Sequence, residues 1–392
     1  MSAHQELTHV HSWGTLSLAV LCLLLSILTQ PATAQEKPAA PPPDVVIFKN
    51  GDQLTGKLER GEGNNVIFKS DLVGEVTISM DKVKELRSNG SFTVLKKDEK
   101  ITRTSRQPGS ITFADNNLTI THPNGSPETV TDKDLAYIID SATFNREVVE
   151  NPGIWYGWNG SITGGATVLQ STSFGQTLTA GISLIRAIPT VPYLPPRTRT
   201  TFNLVETYGK LTQPTTPQTD PPTPDAVAKT HIFHTDFEHD KYITERVYGL
   251  VGFGFDHNFS QGLDLAQIYG VGLGWTAIKD AKQELDLKAD IHYQRQNFTP
   301  PTVNLDLVGS SFGEAYTRTL PGKMLFTQSG TFIQSWNDTN AWSAIAAAGL
   351  ALPVYHRFSL SVNILNNYLN NPAIGFKNNS FQFVSGITYT LH

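Results

Sequence analysis

The sequence has 392 residues, 39% of them hydrophobic and 17% charged, with 31 Gly, 23 Pro and a single Cys. The charged fraction is below the ~25% of ordinary soluble domains, and a net charge of −5 leaves no basic surplus for general nucleic-acid binding. One Cys excludes an intramolecular disulfide and Cys-rich metal sites. No apolar run reaches the ~20 residues of a membrane-spanning helix, although a closed sheet can also cross a bilayer.

In chain order, the first feature is the thirteen-residue apolar block LSLAVLCLLLSIL at 16–28, followed by Ala32-Thr33-Ala34. This is the length of a secretory h-region with an A-x-A cleavage signal. Residues 1–34 are expected to be a signal peptide, although its first segment carries His4, His9 and His11 but no Lys or Arg. Cys22 lies inside the block, preceded by Leu21 and not by a small residue, which disfavours a lipid anchor. Residues 35–43 (QEKPAAPPP) form a Pro-rich, extended linker.

Residues 44–140 read as a small β-rich, SH3-like domain with two possible repeats, 44–88 and 92–140. Each repeat runs strand, turn, strand, turn, strand and closes on a Thr strand, an Asp-Lys pair and an apolar ending. Asn50-Gly51 and Asn124-Gly125 are tight-turn signals.

From 154 to 392 the pattern changes to long period-2 alternation. In Phe358-Ser-Leu360-Ser-Val362-Asn-Ile364 one face is apolar and the other polar, and in Tyr269-Gly-Val271-Gly-Leu273-Gly-Trp275 the second face is all glycine. Glycines at that spacing mark an inward face of little bulk, not a nucleotide loop. Twelve strands are expected, near 154–169, 176–188, 199–211, 230–239, 243–258, 263–278, 282–297, 311–319, 323–336, 341–352, 356–366 and 380–391. Residues 341–352 (AWSAIAAAGLAL) also suit a helix. Strand lengths approach the ~9–11 residues that cross a bilayer at a tilt, and an even number suits an antiparallel transmembrane β-barrel. Parity then assigns the long polar connections 212–229, 298–310 and 367–379 to one end and short turns to the other. The connection 189–198 (PTVPYLPPRT) is the exception, long on the short side. Trp155, Trp158, Trp275, Trp336, Trp342, Tyr355 and Tyr389 suit aromatic girdles.

The stretch Tyr248-Gly249, Phe255-Asp256-His257, Gln261-Gly262-Leu263-Asp264-Leu265 and Gly270-Val271-Gly272-Leu273-Gly274-Trp275 resembles the YdiY-like, salt-induced outer-membrane proteins, a family of unknown function. The Trp155 strand and the closing Gly386-Ile387-Thr388-Tyr389 share the resemblance, and Asn50-Gly51-Asp52 with Leu54-Thr55-Gly56 resembles the periplasmic module that often precedes such barrels. The resemblance implies an outer-membrane barrel with its N-terminal domain in the periplasm, linked to salt or envelope stress. It supplies no catalytic residues. The ending Gly386-x-x-Tyr389-x-Leu391 also resembles the signal read by barrel-assembly machinery, here finishing on His392 instead of an aromatic residue.

Three constellations could carry chemistry. Asp286, Lys288, Asp290, His292 and Arg295 are candidates to line a lumen. His234, Asp236, Glu238 and Asp240 share one strand face, a candidate divalent-metal set or simply a solvated stripe opposite Phe233 and Phe237. Gly309-Ser310-Ser311-Phe312-Gly313 matches G-x-S-x-G, but it is expected in an outer loop with no helix after it, so the nucleophile elbow is missing. The expected function is therefore a non-enzymatic narrow channel or structural envelope protein without cofactor. Its partners would be outer-membrane lipids, the assembly machinery and small solutes or ions, with no nucleic acid. The alternatives are an outer-membrane lipid hydrolase using Ser311, or a secreted β-protein binding metal or glycan.

Overall fold

A computed structural model describes residues 42–97, 99, 101–104, 106–170, 174–213 and 225–391. The expected signal peptide, nearly all of the Pro-rich linker and most of the 212–229 connection lie outside the described residues.

The chain folds as two all-β bodies. Nine strands form the first: β1 (Asp44–Phe48), β2 (Gln53–Glu62), β3 (Asn65–Ser70), β4 (Gly74–Ser79), β5 (Val83–Lys96), β6 (Gly109–Ala114), β7 (Asn117–Thr121), β8 (Pro127–Thr131) and β9 (Leu135–Asp140). They make one sheet, ordered β4-β3-β2-β1-β5-β6-β7-β8, with β9 closing onto β2 and β5. The two sequence repeats are present but interlocked. β5 is the last strand of the first repeat and the first strand of the second. Gly61 pairs with Ile138 across β2 and β9, and Phe113 pairs with Leu86 across β6 and β5, so the last strand of each repeat adds to the second strand of the other. Even the turn bonds repeat at a constant offset: Met80 N donates to Asn64 O, and Asp132 N donates to Asn116 O. Period-2 alternation turns Val66, Phe68, Leu86, Phe113, Leu118 and Ile138 into a single shared core, all fully buried. The exchange explains why neither repeat closes a separate core. After β9, α1 (Ser141–Phe144), capped by the Asp140 carboxylate, continues as a wider turn over Asn145–Glu150.

The second body is a closed antiparallel barrel of twelve strands in sequence order. These are β10 (Trp158–Gln170), β11 (Phe174–Ile188), β12 (Thr198–Gln213), β13 (Ala226–Tyr242), β14 (Val247–Asn258), β15 (Leu263–Lys279), β16 (Gln283–Phe298), β17 (Leu305–Thr319), β18 (Leu325–Ser335), β19 (Trp342–Tyr355), β20 (Phe358–Leu369) and β21 (Asn379–Leu391). The AWSAIAAAGLAL segment is a strand: pairing with both β18 and β20 overrides its helix propensity. β21 pairs with β10 and leaves no edge.

Alternation is inverted relative to the first body. Val251, Val271, Leu273, Ile291, Leu360 and Phe383 all project outward and are 50–61% exposed, while Ser343, Ser361, Thr276 and Ser311 are buried inside. A continuous exposed apolar belt of this size is far larger than the patches soluble monomers tolerate, and it matches the lipid-facing wall of a transmembrane barrel. Trp336 and Trp342 lie at one rim, and Tyr355, Phe358 and Tyr389 at the other, with Phe358 and Tyr389 rings 5.0 Å apart.

Several expected boundaries shift, among them the β13 start (Ala226 against 230) and the β14 start (Val247 against 243), and two shifts have a structural consequence. β10 begins at Trp158, because Ile154–Gly157 forms a turn held by Arg186, whose guanidinium donates to the carbonyls of Pro152, Gly153 and Tyr156 at 2.8–3.0 Å. β17 begins at Leu305, six residues earlier than expected, so the Gly/Ser-rich 309–313 segment lies within a strand and not in a loop.

The long connection 189–197 has a structural reason. It sits at the barrel end that carries the N-terminal domain, hereafter the proximal end, and packs against that domain. Leu194 is buried with Leu95, Ile139, Phe144 and Val148, flanked by Val191 and Tyr193. Glu147, fully buried, accepts from the backbone N–H and the hydroxyl of Thr190, both at 2.8 Å. Arg60 lies 5.1 Å from the centre of the Tyr193 ring, and burial pushes the Tyr193 phenol above its ordinary pKa.

Candidate functional site: the barrel lumen

Twelve strands enclose more than the ~8-stranded barrels whose interior is filled by side chains, and less than the 16–18-stranded aqueous pores. What occupies the lumen follows from which residues the alternation turns inward. From β12 to β17 they include the charged side chains of the lumen, set among the glycines and aliphatics of β14 and β15. From β18 through β21 and back to β11 they are small and neutral, with Thr163, Thr179, Ser183, Thr327, Gly349 and Asn363 around a cavity of about 500 Å³.

At the proximal end, Arg199 enters at the start of β12 and gathers the wall around it. Its guanidinium donates to Asp240 at 2.7 Å, Asp286 at 2.6 Å and Glu284 at 3.3 Å, and lies 4.9 Å from the centre of the Tyr248 ring. Thr276 donates to the other Asp286 oxygen at 2.6 Å. Tyr248 is fully buried, and the room for it comes from the glycine face of β15. A Cβ on Gly274 would stand 2.2 Å from the Tyr248 ring.

In the middle of the wall, Lys288 pairs with Glu238. Toward the other, distal end, His234 bridges Asp256 at 2.6 Å and Asp236 at 3.0 Å. Beside them Ser311 donates to Asp290, which also receives the Nδ1 of His292 at 2.7 Å.

The distal mouth is crossed. β14–β15 and β20–β21 stand on opposite sides of the ring, yet their connections meet. Ala373 N donates to Gln261 O at 3.1 Å, and the Gln261 side chain, fully buried, donates to the carbonyls of Asn367 and Asn378 at 3.1 and 2.7 Å. Leu263, Ala266, Phe298, Leu369 and Ala373 form a small apolar core under this bridge. Gly262 adopts φ +65° there, and a Cβ on it would stand 2.4 Å from the Ala373 Cβ.

The lumen candidates therefore divide. Asp286, Lys288, Asp290 and His292 all face inward. Arg295 does not: it is the odd-numbered residue of the group, so the two-residue period turns it outward, 4.0 Å from Asp306 and half exposed. The metal candidates share the lumen face, but they do not converge. Six residues of strand separate His234 from Asp240 by ~20 Å, and Asp240 is taken by Arg199 and Glu238 by Lys288, while only His234 and Asp236 meet, His234 also on Asp256 and Asp236 also on Asn203. Among the described residues no three His, Cys, Asp or Glu side chains are placed to hold a metal ion. The Ser311 hydroxyl donates to the Asp290 carboxylate and not to an imidazole, so the Ser–His pair of a nucleophile elbow is not formed. The distal bridge and the Arg199 hub were missed by sequence reasoning. The hub could have been sought as the single inward Arg of a strand facing two inward acids.

Residues 198–391 match the family described as "Protein of unknown function, DUF481". The match runs from β12 to the end of the barrel. No curated protein matches the sequence. Among solved structures, the NanC porin is similar at 12% identity and a TM-score of 0.34, covering 59% of this chain and 100% of that one. The translocator domain of the autotransporter NalP from Neisseria meningitidis is similar at 13% identity and 0.30, covering 59% and 87%. The CymD monoaromatic hydrocarbon channel is similar at 8% and 0.28, covering 76% and 85%.

Proposed function

We propose that this protein is a non-enzymatic outer-membrane barrel that admits small hydrophilic solutes or ions to a polar lumen, with its N-terminal domain in the periplasm. The observation that carries the reading is the inverted alternation: an apolar exterior around a charged, cavity-bearing interior, closed at the distal mouth by the Gln261 bridge. Outer-membrane lipids and the assembly machinery that reads β21 are its partners on this reading, no cofactor takes part, and the salt- or envelope-stress setting of the YdiY-like proteins is the setting in which we place it. The Ser311–Asp290–His292 order, with the acid in the middle, supports a non-catalytic role.

Planar-bilayer recording tests it. The purified chain is expected to give small, infrequent conductance steps, and Gln261→Ala, which frees the bridge, larger and more frequent ones. Silence from both proteins, each shown folded by heat-dependent gel mobility, would overturn passage and leave a structural barrel.

A further inference from the structure

The charged half of the lumen holds a second cavity, of about 370 Å³, whose lining mixes charged and aliphatic residues. β13, β14 and β16 carry Asp236, Glu238, Asp256 and Asp290 with Lys288, His234 and His292; Leu250 and Ile268 stand between them on β14 and β15, and Ile333 and Ile345 come from β18 and β19. We propose that this cavity is a binding site for a small primary alkylammonium ion. Its head group would lie among Asp236, Asp256 and Asp290, and its chain against the four aliphatic residues.

The sign of the ligand follows from the charges. Four carboxylates face one lysine, and the surplus stays negative even with both imidazoles protonated. Carboxylates in a low-dielectric, partly enclosed space favour a cation that can also donate hydrogen bonds. His292 supplies an independent pointer. Its side chain is fully buried, and Nδ1 faces the Asp290 carboxylate, so Nδ1 carries the proton and Nε2 presents a lone pair in the neutral ring. That Nε2 has no partner among the described residues. An N–H donor completes it, whereas an anion would not.

The absence of convergent ligands argues against a bare divalent metal. The aliphatic part of the lining argues for an organic ion over a hydrated alkali ion, because a fully hydrated ion gains nothing from Leu250, Ile268, Ile333 and Ile345. The glycines Gly252, Gly254 and Gly270 on the same lining leave the floor of the cavity open where any larger residue would fill it.

The inference rests on the reading of the lumen as accessible to solutes, and its test is kept free of current measurement. The probe is n-butylammonium chloride, with sodium butyrate as its anionic counterpart, titrated into the full chain in detergent at constant ionic strength and followed by calorimetry and saturation-transfer NMR. Butylammonium is expected to bind and butyrate not. Asp256→Asn and Asp290→Asn should each weaken binding on the order of tenfold, while Asn363→Ala on the opposite wall should leave it unchanged. Equal binding of butyrate overturns the site. So does butylammonium binding that both Asp variants leave intact, or displacement of butylammonium by an equal concentration of potassium. Heat-dependent gel mobility shows that each variant is folded, and for any that is not, the wild-type contrast between the two probes decides alone. A barrel that binds butylammonium but passes no current keeps this site and loses only the passage reading.

Discussion

The N-terminal sheet and the barrel are written in the same two-residue code and fold in opposite senses. In β6 and β7 the apolar positions Ile111, Phe113, Leu118 and Ile120 turn inward, and water sees the polar ones. In β20 the apolar positions Phe358, Leu360, Val362 and Ile364 turn outward, and Ser359 and Ser361 are buried. Strand alternation specifies that two faces differ but not which one is buried. Length and closure decide. The strands of the sheet are mostly five or six residues long and share one core, whereas β15 and β16, at 17 and 16 residues, can span a bilayer only if every backbone group is paired around a ring.

The sharpest break of that comparison is one aromatic removed from each body. Phe113→Ala in the sheet core should destabilise the N-terminal domain by about 3–5 kcal/mol, seen as loss of protease resistance with unchanged heat-dependent mobility of the barrel. Phe383→Ala on the barrel exterior, 61% exposed in the absence of lipid, should cost below about 1 kcal/mol. Equal costs in the two bodies would contradict an outward-facing lipid wall. The next effect is a charge moved between faces. Val271→Arg at the belt should cost about 2–4 kcal/mol in lipid-reconstituted unfolding. Thr331→Arg, which faces the lumen opposite the acidic wall, should be tolerated and should lower any cation preference of the conductance.

How much of this was legible in the sequence depends on what each residue contacts. Eleven of the twelve barrel strands were legible from alternation and from connections that, 189–198 apart, sort by parity; 341–352 suited strand and helix alike, and only its pairing with β18 and β20 decides. Arg295 was misplaced by counting a charge with its neighbours instead of by its odd position. The start of β17 was missed because Gly309 and Ser310 look like loop residues in isolation; their partners on β18, Ser335 and Gln334, are distant in sequence. The distal bridge rests on Gln261 reaching Asn367 and Asn378, more than a hundred residues away, and no local pattern encodes such a contact. The repeats of the sheet were legible as repeats, but their exchange of strands was not, since pairing β9 with β2 or with a strand of its own half leaves the same local pattern.

The connection 189–197 joins the two bodies, and it yields the smallest and most specific prediction. Its length broke the parity rule because it belongs to the barrel by covalent connection and to the N-terminal domain by packing. Glu147 is the fixed point, with one carboxylate oxygen holding both Thr190 donors and the other receiving Arg146 at 2.9 Å. Glu147→Ala leaves a buried N–H and a hydroxyl without an acceptor and should cost about 1–3 kcal/mol of docking, opening the 151–157 segment to protease while both bodies remain folded. Glu147→Gln keeps an oxygen for Thr190 and loses only the charge partner of Arg146, a residue whose side chain is half exposed and whose ion pair contributes little. It should therefore cut far more slowly than the alanine variant. If the two variants are cleaved at the same rate, the Glu147 charge and not merely an acceptor oxygen for Thr190 holds the junction.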